Sequence, residues 1–161
     1  MAEEIRSISL SRKKSFSIDG DINRIIQLDT SDMNIMVRLE ETYPEIQQLA
    51  IEAVDRIVAS KDSEDENSSL TAVLKDIDNK IREKINYIFA SDVADACEPT
   101  GNMYDPIEGD FRFEHIIQTL LNVYADDILA GFKQMQARVK KHTAKYTNTG
   151  ASTSKRKKSN R

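Results

Sequence analysis

The 161-residue chain contains a single cysteine, no tryptophan, five glycines and three prolines. Cys97 alone cannot form an internal disulfide, which excludes a disulfide-stabilised secreted scaffold. No apolar run approaches the roughly 18 residues needed to span a bilayer, and the N-terminal residues lack the apolar segment of a signal peptide. These absences predict a soluble protein of the cytoplasm that has no membrane partner.

Sequence motifs for metal or cofactor binding are also missing. The chain has no glycine-rich phosphate loop, no zinc-binding spacing and no His-Glu helix motif. Asp19, Asp21 and Asn23 alternate as at the start of a calcium loop. However, Arg24 stands where that loop needs glycine and Thr30 where it needs a bidentate glutamate, so the segment is better interpreted as a turn. We therefore predict no metal and no cofactor.

Candidate catalytic residues are equally scarce. Cys97 and His115 could in principle form a nucleophile and its base, but the sequence supplies no third group to orient them. A partly buried cysteine and a histidine on a helix face are the simpler interpretation. Asp126 and Asp127 are adjacent and point about 100° apart on a helix, so they cannot hold one metal together. We predict no catalytic residue and no enzyme activity.

The charges are divided unevenly along the chain. Residues 133–161 contain ten basic residues and no acidic one, whereas residues 1–132 contain 13 basic and all 27 acidic residues, a net charge of −14. A basic cluster suits phosphate binding or nuclear-import-like recognition, but no aromatic residue follows Tyr146 to stack on bases. A flexible solubilising tail is the alternative, and nucleic acid is therefore a possible but not a favoured partner. The cluster of basic residues in this tail is Lys155, Arg156, Lys157 and Lys158.

What the sequence has in abundance is apolar residues at regular spacings. Two short apolar runs flank Asp19-Gly20 within residues 15–30, which favours a β-hairpin, although the second run is also compatible with the start of a helix. Asp29, Thr30 and Ser31 are suitable N-cap residues for a helix that follows. Residues 32–60 then show helical periodicity, and Pro44 predicts a break near Tyr43.

Three further helical segments are predicted. Residues 70–89 form the cleanest amphipathic stripe in the first hundred residues, after an acidic, serine-rich loop at 60–69. Residues 91–97 favour one or two helical turns capped by Ser91. Apolar spacing then continues from Phe111 to Val139, and the helix is expected to fray within 140–146.

Together these patterns predict a mainly α fold. We expect a bundle of about four helices with a short N-terminal β-hairpin and a disordered basic C-terminal tail. The expected divisions are a flexible N-terminus at 1–15, a helical domain at 16–146 and the tail at 147–161.

One run of sequence resembles a known group of proteins. The run is CEPTGNMYDPIEGDFRFEHIIQTLLNVYADDI, in which Gly101-Asn102 would form a turn and Phe113-Glu114 would open the last long helix. Together with the hairpin-like SFSIDGDINRIIQLDTSD upstream, it resembles the small helical tail assembly chaperones of long-tailed phages and prophages of Gram-positive bacteria. The resemblance extends over residues 16–146.

The resemblance implies a function without catalysis. Proteins of this group cover the tape-measure protein during tail assembly and help to recruit tail-tube subunits, so tape-measure and tail-tube proteins are the expected partners, with homo-oligomers also possible. The helix faces expected to form either core or partner contacts, with the core favoured for most of them, contain Ile81, Ile85, Ile88, Ile117, Leu121 and Ile128. A helical nucleic-acid-associated or general protein-interaction module that uses the basic tail is the alternative.

Overall fold

The computed structural model describes the backbone of residues 3–61 and 67–154 and the side chains of residues 3–61 and 69–141. Within those residues the chain has four helices and two antiparallel hairpins, which confirms the predicted mainly α class with an N-terminal hairpin. In chain order the elements are β1 (Lys14–Ile18), β2 (Asp21–Leu28), α1 (Ile35–Ser60), α2 (Asn67–Phe89), α3 (Ala94–Cys97), β3 (Pro106–Ile107), β4 (Asp110–Phe111) and α4 (Arg112–Ser154).

The N-terminal hairpin forms at the predicted place. β1 and β2 pair antiparallel, with Phe16 opposite Ile26. The turn residues Asp19 and Gly20 both have positive φ angles, 53° and 72°, which match the right-handed twist of the two strands. Ile26 and Leu28 are buried while the residue between them is exposed, so the second run is a strand and not the start of a helix.

The hairpin is attached to α3 by one side chain of β2. Arg24 donates from Nε to the carbonyl oxygen of Ala96 at 2.7 Å and from Nη2 to that of Cys97 at 3.1 Å. These carbonyls end a very short helix, where backbone acceptors lack partners within the helix. Arg24 thus satisfies the C-terminal end of α3 and links it to the sheet.

The start of α1 differs from the prediction. The carboxylate of Asp29 accepts hydrogen bonds from Ser31, and that of Asp32 accepts one from the backbone N–H of Asn34. These bonds stabilise turns before the helix instead of capping it, because α1 begins only at Ile35 and its N-cap side chain makes no cap hydrogen bond.

The predicted break at Pro44 is wrong, because α1 runs without interruption from Ile35 to Ser60. Proline in a helix interior removes one backbone hydrogen bond and costs about 3 kcal/mol. This cost is opposed by packing, because the helix packs on α2 and fully buries Ile46, Ala50 and Ala53. Burial of an apolar side chain as large as isoleucine contributes about 1.5–3 kcal/mol, so continuing the helix outweighs the local cost of the proline.

The centre of the core comes from α2, whose predicted stripe is confirmed. Arg38 of α1 donates from Nε to the carbonyl oxygen of Ile88 at 2.8 Å, and Lys84 of α2 pairs with Glu45 of α1 at 2.6 Å, so two polar contacts hold these helices together beside the apolar ones. The α2 side chains buried to 3% exposure or less are Ile77, Ile81, Ile85, Ile88 and Phe89.

The short helix predicted at 91–97 is present, but its cap is not Ser91. Asn86, near the end of α2, accepts hydrogen bonds through Oδ1 from the backbone N–H groups of Val93 and Ala94, both at 2.9 Å. Ala90 takes a positive φ of 49° where α2 ends. A residue of one helix therefore caps the next, which the local sequence around Ser91 does not indicate.

The last helix is longer than its apolar pattern. α4 extends to Ser154, past Val139. Extending a formed helix fixes few new dihedral angles for each hydrogen bond gained, so polar residues can follow an apolar helix without a core of their own. Residues 155–161 lie outside the described part. Two compact units divide the chain, Met1–Asn122 and Val123–Arg161.

Candidate partner-binding groove

The segment between α2 and α4 is organised by Arg82, whose side chain is only 13% exposed. Its Nε donates to Oδ2 of Asp78 at 2.8 Å, and Nη1 and Nη2 donate to the carbonyl oxygens of Glu98 and Gly101, each at 2.7 Å. The other carboxylate oxygen of Asp78 accepts the backbone N–H of Met103 at 2.7 Å. A largely buried ion pair thus holds residues 98–103 against α2.

Gly101, where the resemblance predicts a turn with Asn102, lies in a bend that two carboxylates approach closely. A Cβ atom on Gly101 would lie 3.0 Å from both Glu98 Oε1 and Asp105 Oδ2, so these carboxylates would have to move by a few tenths of an ångström to admit it. These two carboxylates approach so closely because they accept the backbone N–H groups of Gly101 and Asn102, each at 2.8 Å. The glycine leaves room for that arrangement.

Glu98 also fixes the start of α4. Its Oε2 accepts a hydrogen bond from Arg112 Nε at 2.6 Å, while the backbone N–H of Phe113 donates to the carbonyl oxygen of Met103 at 2.9 Å. The first N–H groups of a helix have no partner within it. The Met103 carbonyl supplies such a partner for the N–H of Phe113. Together with the Glu98–Arg112 contact, it determines where the first turn of α4, including Glu114, lies.

We predict that Glu98 makes stability depend on acid pH. Burial alone would raise its pKa, but the Gly101 N–H and the Arg112 guanidinium outweigh burial and lower the pKa below the ordinary value. A lowered folded-state pKa stabilises the protein above the unfolded-state pKa, and that stabilisation is lost as pH falls through the folded-state pKa. We expect the free energy of unfolding to fall below about pH 5 and to fall less steeply in Glu98→Gln.

Chemical denaturation between pH 7 and pH 3 measures this dependence. Glu83→Gln, on the exposed part of α2, is the control and should keep the wild-type slope. Equal slopes in Glu98→Gln and the wild type would contradict a role for this carboxylate.

Beside this anchored start, α1 and the first turns of α4 border an apolar groove. The groove has a volume of about 550 Å³. Most of the residues that line the groove are apolar. The polar lining groups are the carboxylates of Glu40 and Glu114 and the amide of Gln118. The apolar lining residues are Met36, Leu39, Tyr43, Pro44, Ile117 and Leu121.

Tyr43 of α1 and Glu114 of α4 contact each other at the groove. The phenol of Tyr43 donates to Glu114 Oε1 at 3.3 Å, and Glu114 Oε2 accepts the backbone N–H of Phe111 at 3.2 Å, as in a helix capping box. Burial, followed by the neighbouring carboxylate, raises the pKa of Tyr43, so the phenol stays protonated as a donor at neutral pH. The Tyr43 ring also meets Phe113 edge to face at 5.8 Å.

The apolar residues that the sequence assigns to either core or partner contact differ in where they lie in the structure. Ile81, Ile85 and Ile88 are fully buried in the core, the favoured alternative. Ile117 is 3% exposed and lies at the floor of the groove, and Leu121 is half-buried at its edge. Ile128 is half-buried on α4 beyond Asn122. Sequence spacing did not reveal the contribution of α1, because Met36 and Leu39 share the helical periodicity of core residues.

The other residues considered for chemistry lie in ordinary structural positions. Cys97 is buried, and burial raises the pKa of its thiol, while His115 is exposed on α4. Asp21 accepts the backbone N–H of Asn23, and Asp19 pairs with Arg24 at 3.2 Å, so these groups serve the hairpin turn. The basic residues Lys155, Arg156, Lys157 and Lys158 lie outside the described residues.

Across residues 3–61 and 69–141, no cluster of three or more His, Cys, Asp or Glu side chains is arranged to bind a metal ion. In the same part of the chain, no helix combines the length and apolar character that crossing a membrane demands.

Comparison of the chain with protein-family models, curated protein sequences and solved structures gives no significant match.

Proposed function

We propose that this chain is a non-enzymatic assembly chaperone that covers amphipathic helical segments of a long partner. The resemblance suggests the tape-measure protein of a phage tail, with recruitment of tail-tube subunits as a second role. The observation that supports the proposal is the apolar groove between α1 and the start of α4. Two helices side by side form the kind of surface on which a third amphipathic helix packs.

The chemistry of the groove specifies the helix that it takes. Its apolar floor fits side chains that recur at three- and four-residue steps along one helix face. The carboxylates of Glu40 and Glu114 favour lysine or arginine beside that face, because opposite charges improve selection of the partner even where they add little affinity. The preferred segment is therefore apolar on one face and basic at its margins.

A single open groove suits reversible binding. The free energy gained from contacts must first offset the translational and rotational freedom that the partner loses on binding. A surface of this size leaves only a small net free energy of binding. A covering protein that is later replaced by tube subunits needs such modest affinity. Several copies along one long partner would together cover a long apolar surface.

We predict that Met36→Lys weakens helix binding at least tenfold. Met36 lines the groove yet is 58% exposed, so the substitution places a cation in the groove without disturbing the core. The probe is a fluorescein-labelled 18-residue amphipathic helix with leucines on one face and lysines at its margins. Fluorescence anisotropy gives its affinity for both proteins.

The matched control is Val58→Lys, on the same helix and 63% exposed, which should bind the probe as the wild type does. A second probe with glutamates at the margins should bind the wild type more weakly at low salt. Equal binding by the Met36 and Val58 variants would show that the groove is not the site. Equal affinity for both probes would contradict selection by the carboxylates.

The identity of the partner is tested separately, by the genes beside the coding sequence. A tail assembly chaperone should lie immediately upstream of a gene for a long, helix-rich protein, and fragments of that protein should compete with the probe. Unrelated neighbouring genes would refute the phage-tail role while leaving groove binding intact.

The alternative is a nucleic-acid-associated module, which the basic segment 133–161 favours. Binding of nonspecific duplex DNA would then fall steeply between low and moderate salt. It would also be unchanged in Met36→Lys, apart from any gain from the added charge. Absence of DNA binding at low salt would exclude it.

A further inference from the structure

The part of α4 beyond Asn122 carries large apolar side chains that are exposed. Phe132, Met135 and Val139 are 47%, 59% and 62% exposed, and Ile128 on the same face is half-buried. Leu129 beside them is 55% exposed. We call Ile128, Phe132, Met135 and Val139 the α4 seam. Several large apolar groups on three turns of one helix indicate a surface that another molecule covers.

The spacing of the α4 seam is that of a two-helix coiled coil. Its steps of four, three and four residues are those of the a and d positions of a heptad repeat, at which knobs pack into holes of a facing helix. The order of steps is the same in both directions along the helix. A second α4 running antiparallel therefore sets Ile128 against Val139 and Phe132 against Met135, so that every seam position meets an apolar residue.

The charges at the two ends of the seam select the antiparallel direction. Asp126 and Asp127 precede the seam, and Lys140 and Lys141 follow it. Antiparallel helices bring the acidic end of one copy level with the basic end of the other, whereas parallel helices align the lysines of both copies. Opposite charges attract and like charges repel at such distances, the more so at low salt.

We propose that the α4 seam binds a second copy of this chain, with the two helices antiparallel. The apolar spacing and the order of charges along α4 are both complementary to those of a second, antiparallel α4. A partner with the same sequence therefore provides both the apolar and the charged contacts. The contact is isologous, and it therefore closes at two copies instead of continuing into a polymer. Because the apolar contact spans only about two heptads, the dimer should separate on dilution.

The first test is the dependence of molar mass on protein concentration. Sedimentation equilibrium of the full chain should show a reversible monomer–dimer equilibrium. Met135→Lys should weaken the dimer at least tenfold, and Val58→Lys should not change it. A monomer at every concentration up to millimolar would overturn the proposal, as would a dimer that survives Met135→Lys. Loss of the dimer in Met36→Lys with retention in Met135→Lys would assign it to the groove instead.

The second test is the direction of the helices. Ile128→Cys and Val139→Cys, made as separate proteins with different tags, are mixed and oxidised. The antiparallel pair predicts a disulfide between the two variants and little in either variant alone, because only opposed seam positions approach closely enough. Disulfides within each variant alone would show a parallel pair and refute the model. The wild-type protein controls for Cys97, which is buried and should not react.

Discussion

Replacement of Arg82 by alanine is expected to lower the free energy of unfolding by about 3–5 kcal/mol. The substitution removes the guanidinium that donates to the carboxylate of Asp78. That carboxylate is only 11% exposed, so it would stay buried without its counter-charge. It also frees the carbonyl oxygens of Glu98 and Gly101, which Arg82 satisfies at 2.7 Å. Removing one partner of a buried pair costs more than the pair itself contributes, because the remaining charge stays buried.

Urea denaturation of the wild type and three variants measures this effect. Arg56→Ala is the matched control, since Arg56 pairs with Glu52 on the surface of α1 at 3.5 Å and is 53% exposed. Exposed pairs of this kind contribute about 0–1 kcal/mol. Arg82→Lys should recover only part of the loss, because one ammonium group cannot reproduce the planar fork that meets Asp78 and two carbonyls. Equal effects of Arg82→Ala and Arg56→Ala would show that the buried network is not stabilising.

Replacement of Ile85 by alanine is expected to cost about 2–5 kcal/mol of the free energy of unfolding. Ile85 has no exposed surface and lies between Ile81 and Ile88 on the buried face of α2. Truncating the side chain loses the transfer free energy of three methyl or methylene groups and leaves a cavity that a close-packed interior closes only in part.

The control for Ile85 is Ile51→Ala, the same substitution in a helix at a position 46% exposed. It should change stability by less than about 1 kcal/mol, because little apolar surface is lost and alanine has the higher helix propensity. Thermal unfolding compares the two. A small effect of Ile85→Ala with a large loss of probe binding would instead assign this face to partner contact.

The parts of the fold that sequence could predict are those in which one local pattern decides the outcome. The spacing of Ile77, Ile81, Ile85 and Ile88 admits a single buried face, and Asp19-Gly20 admits a tight turn between strands. Pro44 shows the limit of such patterns. The expectation of a break at proline considers only the local cost in backbone conformation and hydrogen bonding. The free energy gained when α1 packs on α2 is instead a sum over many residues.

The groove and the polar network could not be predicted, since both join residues far apart in the chain. Arg82 binds atoms 4 to 19 residues away, two of them backbone carbonyls that look the same in any sequence. Tyr43 and Glu114 are 71 residues apart. The sequence identifies Ile117 and Leu121 as core or partner residues, but the helix that lies opposite them is known only from the tertiary fold.

The attachment of Arg24 to α3 has a consequence for synthesis of the chain. The Arg24 side chain and the Ala96 carbonyl are 72 residues apart, so β2 leaves the ribosome well before its acceptor exists. At about 5–20 residues per second, that interval is roughly 4–14 seconds. Until α3 is made, Ile26 and Leu28, which are buried in the finished protein, belong to a strand that lacks its contacts with α3. The N-terminal hairpin is thus the first element made and among the last that can be completed, which leaves it open to aggregation or to helper proteins during translation.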